Sequence, residues 1–227
     1  MFFLKKSYDD FISKIIKKKS YNLNILKFIR YKFFLPSNIF LTLRSQKKQK
    51  KNSLPSNVEI IGRSLLFSGS IKKDLPKNKC QIAKKKDIKK IVHIAKNELR
   101  NNRFFLDKKI DPKISEKIKI EWVKNYFKRK RGDLMILRYK KNYLAGFLLV
   151  IKNKKGIVVD LIAVSKKYRK KNIALEMLLF AEKFFSNSKK KINFFAGTID
   201  KNYSAIKFYK KVGLKLINKS YIYHCHN

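Results

Sequence analysis

Between Tyr168 and Leu178 the chain reads YRKKNIALEML. An apolar strand pattern, GIVVDLIAV (Gly156 to Val164), precedes it, and Ala174, Met177, Leu178, Ala181 and Phe185 follow at helical spacing. A strand that feeds a helix through a short loop leaves the first backbone N–H groups of that helix without intrahelical partners, at the positive end of its macrodipole. Such an end binds phosphate. The candidate contacts run from Arg169 through Lys170, Lys171, Asn172 and Ile173 to Ala174. The three basic side chains add charge, but in a chain with 58 Lys and Arg they say less than the loop's position does. Asp160 is a second chemical signal, an acid inside a strand otherwise made of Val, Ile, Leu, Ala and Gly. Two-residue alternation places it on the face of Ile162 and Val164.

The elements that must position these residues are legible from Lys79 onward. CQIA reads as a short strand and KDIKKIVHIAKNELR as a helix, with Ile88, Ile91, Val92, Ala95 and Leu99 on one face. Asp111-Pro112 reads as a cap with proline in the first turn, opening a helix that carries Ile114, Ile118, Trp122 and Tyr126 inward. Three strands follow, DLMILRYK, YLAGFLLVIKN and GIVVDLIAV, with Lys-Lys-Asn and Asn-Lys-Lys-Gly as turns. After the loop come the helix IALEMLLFAEKFF, the strand INFFAGTI, the helix NYSAIKFYKKVG closed by Gly213, and the strand LKLINKSYIYHCH. The order β-α-α-β-β-β-α-β-α-β is an α+β, or mixed α/β, layout without the regular alternation of a doubly wound fold.

The first third is expected to form a small N-terminal α/β domain, residues 1–78, with the main domain at 79–227. Its signals are an amphipathic helix carrying Tyr8, Phe11, Ile12, Ile15 and Ile16, a polar linker, RSQKKQKKNSLPSN (Arg44 to Asn57), and VEIIGRSLLFSGSI as one or two strands. A basic helix of this kind either packs on its own domain or lies on a membrane surface.

The net charge of +43 invites a nucleic-acid reading. Enrichment in Lys, Ile, Asn and Phe points instead to a base-composition bias, although the 15 acidic residues leave an attraction to anions standing. Cys80 and Cys225 make no disulfide framework, and no Cys/His spacing marks a structural zinc. His93 reads as a surface histidine. His224, Cys225 and His226 alternate faces on a strand, so no compact metal site is expected. The longest apolar run, Leu144 to Ile151, has eight residues and cannot span a bilayer. A cytoplasmic setting is the simplest expectation.

Arg169-Lys-Lys-Asn172-Ile-Ala174 resembles the R/Q-x-x-G-x-G/A loop of the GNAT superfamily of acetyl-CoA-dependent N-acetyltransferases, with asparagine where the pattern has glycine. DKNYSAIKFYKKVGLK resembles the family's N-x-x-A-x-x-x-Y-x-x-x-G-F segment, with Asn202, Ala205, Tyr209 and Gly213 in place and Leu214 for the usual Phe. The resemblance implies a central mixed sheet flanked by helices and acetyl-CoA as co-substrate, with no metal. It also implies roles: the loop's backbone amides on the pyrophosphate, Asn202 and Ala205 beside the pantetheine arm, and Tyr209 protonating the departing thiolate. Ile162, Ala163 and Val164 would lie along the thioester, and Asp160 would serve as base or amine-binding group. A core aromatic at Tyr209 and a solvated sheet edge at Asp160 are the competing readings.

The stretch Asn101 to Val150 is similar to bacterial nucleotide-sugar acetyltransferases of the TDP-fucosamine type, through Arg103-Phe104, Asp111-Pro112, Glu121-Trp122-Val123 and Asn125. That likeness implies a nucleotide-linked amino sugar as acceptor, for surface polysaccharide, with Arg103 and Phe104 at its phosphate or sugar. A protein or ribosomal-protein amine acetyltransferase and a non-catalytic RNA- or membrane-binding module stay open beside it. So do a homodimer and contact with nucleic acid or a membrane surface.

Overall fold

The computed structural model describes residues 8–31, 37–72, 80–128, 132, 134–140, 142–186 and 191–227. The turn residue Lys141, the strand-leading Asp133 and the 78/79 boundary lie outside them. The elements are α1 (Asp10–Ile16), β1 (Lys19–Asn24), α2 (Ile25–Tyr31), β2 (Ile39–Ser45), β3 (Val58–Gly69), β4 (Cys80–Ile82), α3 (Ile88–Glu98), α4 (Arg103–Leu106), α5 (Pro112–Phe127), β5 (Leu134–Lys140), β6 (Tyr143–Asn153), β7 (Gly156–Val164), α6 (Ile173–Phe185), β8 (Phe194–Ile199), α7 (Tyr203–Lys211) and β9 (Lys215–His226). No helix among the described residues is long and apolar enough to cross a membrane.

All nine strands join one mixed sheet, in the order β1-β2-β9-β3-β8-β7-β6-β5-β4. The β1/β2 and β7/β8 pairs are parallel and the rest antiparallel. A helical layer covers each face of the central strands. On one, α6 and α7 bury Ile173, Leu175, Met177, Leu178, Ala181 and Tyr209 against Phe67, Leu148, Ile157, Val159, Phe194 and Ala196. On the other, α3 and α5 bury Ile91, Ile94, Ala95, Val123 and Tyr126 against Leu137, Phe147, Leu149, Leu161 and Ala163.

The helix starts follow their sequence signals. Asp111 accepts a hydrogen bond from Lys113 N at 2.7 Å with Pro112 in the first turn, and Asp9 caps α1 through Ile12 N at 3.0 Å. The apolar face of α1 packs within the chain, Ile12 and Ile15 meeting Phe40, Phe104, Ile110 and Ile118, while Phe11 stands edge-on to Trp122. Intramolecular packing thus accounts for its amphipathicity.

The strands of the N-terminal third, expected as a small domain of residues 1–78, join the same sheet as the strands that follow. β3 lies between β8 and β9 and pairs with both, and β2 continues the sheet on the other edge of β9. Phe67 and Ile71 sit in the same core as α6 and α7. The physical reason is the length of β9: twelve residues offer β3 a full edge on one side and leave Tyr221–His226 to pair with β2 on the other. The expected linker in fact begins as strand, since Arg44 and Ser45 end β2.

Candidate active site

β7 and β8 pair only from Ile157/Phe194 to Val159/Ala196. Beyond that point they separate, and a cleft of about 960 Å³ opens between them. Gly197 has no heavy atom within 4 Å of where a Cβ would stand, so β8 borders open space there. The β7 edge from Asp160 to Val164 has no strand partner on that side among the described residues. It is a free edge for an extended, amide-bearing chain.

At the mouth of the cleft the loop after β7 forms one 3₁₀ turn, Lys166–Tyr168, and enters α6. Lys170 and Asn172 both have left-handed backbone, φ 61° and 58°. Asn172 occupies the N-cap position without a side-chain cap bond, and the first intrahelical bond is Glu176 N to Asn172 O at 2.9 Å. The N–H groups of Ile173, Ala174 and Leu175 therefore precede the helical ladder, and left-handed residues alternating with Lys171 turn the backbone into an anion-binding concavity. Asparagine in place of glycine keeps that geometry because it tolerates positive φ better than other side chains. On this basis Asn172→Gly should leave acetyl-CoA affinity unchanged. Asn172→Val, forcing a β-branched residue into the left-handed region at about 1–2 kcal/mol, should raise the KM for acetyl-CoA about 5- to 30-fold in initial-rate kinetics.

Arg169 lines the cleft and is also tied to α3. Its guanidinium binds Glu98 Oε2 at 2.5 Å and Val164 O at 3.2 Å, while Glu98 Oε1 accepts Lys166 N at 2.9 Å. Glu98, the last residue of α3 and itself a cleft residue, thus clamps the loop. It carried no sequence signal, because the contact joins residues about 70 positions apart. Lys171 stands outside the cleft lining, its Nζ 5.9 Å from the Tyr168 ring, whereas Lys170, Asn172, Ile173 and Ala174 line it.

From the α6/α7 layer the cleft also takes Asn202, Ala205 and Tyr209. Asn202 Oδ1 caps α7, accepting from Ala205 N at 3.4 Å and Ser204 Oγ at 3.0 Å. Tyr209 is 3% exposed, its ring held by Phe67 and Phe208 at 5.6 Å between centroids. Burial pushes the phenol above its ordinary value, so it keeps its proton at any working pH.

Asp160 departs from strict alternation. Leu149 pairs with Leu161 and Val150 with Val159, so Asp160 is the extra residue of a β-bulge. The bulge inverts parity: Ile157 and Val159 join Ile162 and Val164 on the α6/α7 face, and Leu161 and Ala163 face α3 and α5. Asp160 goes with the second set, its Oδ2 accepting from Trp122 Nε1 and Tyr126 Oη of α5, both at 2.7 Å. The expectation that it shares the face of Ile162 and Val164 is therefore corrected. Ile162, Ala163, Val164 and Asp160 all line the cleft, which the splay opens to both layers. Arg103, Phe104, Lys119 and Trp122 line it on the α4/α5 side.

The C-terminal histidines also revise an expectation. Cys225 does alternate to the opposite face, but His224 and His226 share one, and Asp107 joins them from the turn after α4. Asp107 Oδ2 lies 2.6 Å from His224 Nδ1 and 2.8 Å from His226 Nε2. Such a trio has the donor types of a cation site, but its separations are hydrogen-bond lengths, shorter than the roughly 3.3 Å between tetrahedral zinc ligands. As it stands, the trio clasps α4 to β9.

Burial lowers the His224 imidazole to about 4, with Arg103 adding to the shift and Asp107 opposing it. For Asp107 burial acts upward, but hydrogen bonds from the two histidines and their charge hold its carboxyl well below the usual range. The unfolded chain takes a proton on His224 from about pH 6.5 downward that the native state refuses until about pH 4. Stability should accordingly fall with pH across that window, and further below it as Asp107 protonates. Thermal melts between pH 7.5 and 4.5 should show the decline, with a flatter profile for His224→Asn.

A mixed sheet opened at one parallel pair, with the uncapped start of α6 beside the opening, is the scaffold that the structure defines. Residues 97–214 match the model of the Acetyltransferase (GNAT) family, and the chain belongs to that family. It is an acetyl-CoA-dependent N-acetyltransferase. Among solved structures, a functionally unknown conserved protein from Staphylococcus epidermidis is similar over 92% of this chain and 84% of its own, with TM-score 0.66 and 15% identity. A GNAT-family acetyltransferase from Colwellia psychrerythraea gives 0.53 at 14% identity, over 82% of this chain and 64% of its own. A GCN5-related N-acetyltransferase from Sphaerobacter thermophilus gives 0.51 at 8%, over 86% and 62%. No protein of curated function matches the sequence.

Proposed function

We propose that the chain moves acetyl from acetyl-CoA to a primary amine on a small molecule, a nucleotide-linked amino sugar, and that the cleft residues divide the work by layer. The observation that carries this reading is the single cleft holding the loop, Asn202 and Tyr209 from one layer and Asp160 from the other. On the α6/α7 side, N–H groups from Lys170 to Ala174 hold the pyrophosphate, and the small Ala205 leaves room for the arm. Asn202, whose Oδ1 is occupied in capping, keeps its amide N–H donors for a ligand. The unpaired β7 edge at Ile162 to Val164 runs beside the thioester and supplies a backbone donor for its carbonyl oxygen.

In the reaction the amine nitrogen bonds to the carbonyl carbon and the carbon–sulfur bond breaks. The nitrogen loses a proton and the sulfur gains one. Tyr209 carries its proton until the carbon–sulfur bond breaks and then donates it to sulfur; the proton lost from nitrogen leaves through Asp160 or water, and the phenol is reprotonated from solvent. Asp160 Oδ2 is already committed to two donors, which fix the carboxylate toward the cleft and suit it to hold and orient the amine. Arg103 and Phe104 stand where the sugar or phosphate of the acceptor would lie. The likeness of Asn101 to Val150 to sugar-nucleotide enzymes supports that acceptor class.

The test is thiol release from acetyl-CoA against a panel of nucleotide amino sugars and amine-terminated peptides. Turnover with a sugar nucleotide and none with peptides is the expected result. Acetylation of peptides alone would move the assignment to a protein amine, and absence of acetyl-CoA binding by calorimetry would overturn the reading.

A further inference from the structure

Two guanidinium groups stand on the acceptor side of the cleft without an ion pair among the described residues. Arg44, next to last in β2, and Arg103, the first residue of α4, both line the cleft. Arg103 Nε is closed off from solvent and has no hydrogen-bond partner among the described residues. The charge of Arg44 acts unfavourably on Arg103 across the gap, Asp9 opposes it only through space, and nothing but burial acts on Arg44. Other arginines behave differently: Arg63 pairs with Asp200, Arg138 with Glu176 and Arg169 with Glu98. A desolvated guanidinium left unpaired is costly, and two side by side are more so.

These groups are also held in place. The Arg103 guanidinium lies 4.5 Å from the centre of the Phe104 ring, and Phe104 is 2% exposed and rests against His224. Asn102 caps α4 through Phe104 N at 3.0 Å and ties back to Leu99 O at 2.6 Å. The Asp107 clasp fixes the other end of α4 to β9, where Ile222 pairs with Arg44. Arg44 lies four strand spacings from β7, on the order of 19 Å across the sheet, so it is remote from the pyrophosphate turn. The Arg103 guanidinium, held against Phe104 at the start of α4, and Arg44 in the same cleft offer forked donors for an anion other than the pyrophosphate.

We propose that Arg44 and Arg103 form an anion subsite for the acceptor, which makes the acetylated molecule an amine that also carries a phosphate or carboxylate group. The inference rests on the acetyl-transfer reading of the cleft and adds the acceptor's charge. It also makes β2 a part of the specificity site. With Asp160 drawing the amino end and the arginines the anionic end, the acceptor would lie along the α4/α5 side of the cleft.

The test uses the full chain saturated with desulfo-CoA, so that the pyrophosphate turn is filled. Inorganic phosphate, acetate and chloride are titrated separately at constant ionic strength. Binding is read from the fluorescence of Trp122, the sole tryptophan and a cleft residue, and from the thermal transition. The expected result is a saturable response to phosphate or acetate but not to chloride. In Arg44→Gln and Arg103→Gln it should weaken at least about ten-fold, as for the loss of a charge-assisted hydrogen bond. Desulfo-CoA binding should be retained in Arg44→Gln, which also serves if Arg103→Gln fails to fold. A phosphate response assigns a phosphorylated acceptor, and an acetate response a carboxylated one. No saturable response in the wild type, or wild-type affinity in both variants, would overturn the subsite. Failure of desulfo-CoA to bind would count instead against the acetyl-transfer reading.

Discussion

Tyr209→Phe should lower turnover about 100- to 1,000-fold while leaving the affinity for acetyl-CoA within about two-fold, the pattern of a lost proton donor in the transition state. The substitution removes one oxygen and keeps the ring, so the contacts with Phe67 and Phe208 survive. Burial keeps the wild-type hydroxyl protonated, so its contribution is not expected to titrate at working pH. Stopped-time thiol release with saturating acetyl-CoA, paired with calorimetric binding, separates the two quantities. An unchanged rate would remove Tyr209 from the chemistry and leave it as a core aromatic.

The second large effect concerns folding. A chain restricted to residues 79–227 should show no cooperative unfolding transition and no acetyl-CoA binding. Taking away β3 strips β8 and β9 of a shared partner along twelve residues. It also removes Phe67, Ile71 and Leu65 from the core beneath α6 and α7. Each such side chain contributes about 1.5–3 kcal/mol of burial, and together with the lost ladder this consumes most of a typical domain stability of about 5–15 kcal/mol. Circular dichroism melts of the fragment and of the full chain make the comparison. A folded, acetyl-CoA-binding fragment would restore the division at residue 78.

Local signals and local contacts account for what could be read from the sequence. The bounds of α6 and the N-cap and proline of α5 were visible because capping and helical periodicity act within a few residues. The loop from Arg169 to Ala174 was visible because strand, turn and helix lie consecutively. β1 was not, since KSYNLN is polar and becomes a strand only because β2 offers it an edge. The clamp of Glu98 on Arg169, the convergence of Asp107 with His224 and His226, and the meeting of Arg44 with Arg103 join distant positions, and no spacing rule reaches them. The orientation of Asp160 was misread for a subtler reason: alternation presumes a regular ladder, and one inserted residue breaks it.

That inserted residue has a consequence for how the enzyme can change over time. Because of the bulge, Asp160 and Leu161 are consecutive in the chain yet turned to the same surface, toward α3 and α5, while Ile162 and Val164 face α6 and α7. Substitutions on α4 and α5 can redraw the acceptor pocket without disturbing the surface that faces α6 and α7. The bulge adds an acid to the surface facing α3 and α5 and leaves the surface facing α6 and α7 as it was. Deleting that one residue would remove the acid and leave every other side chain of β7 on its present surface.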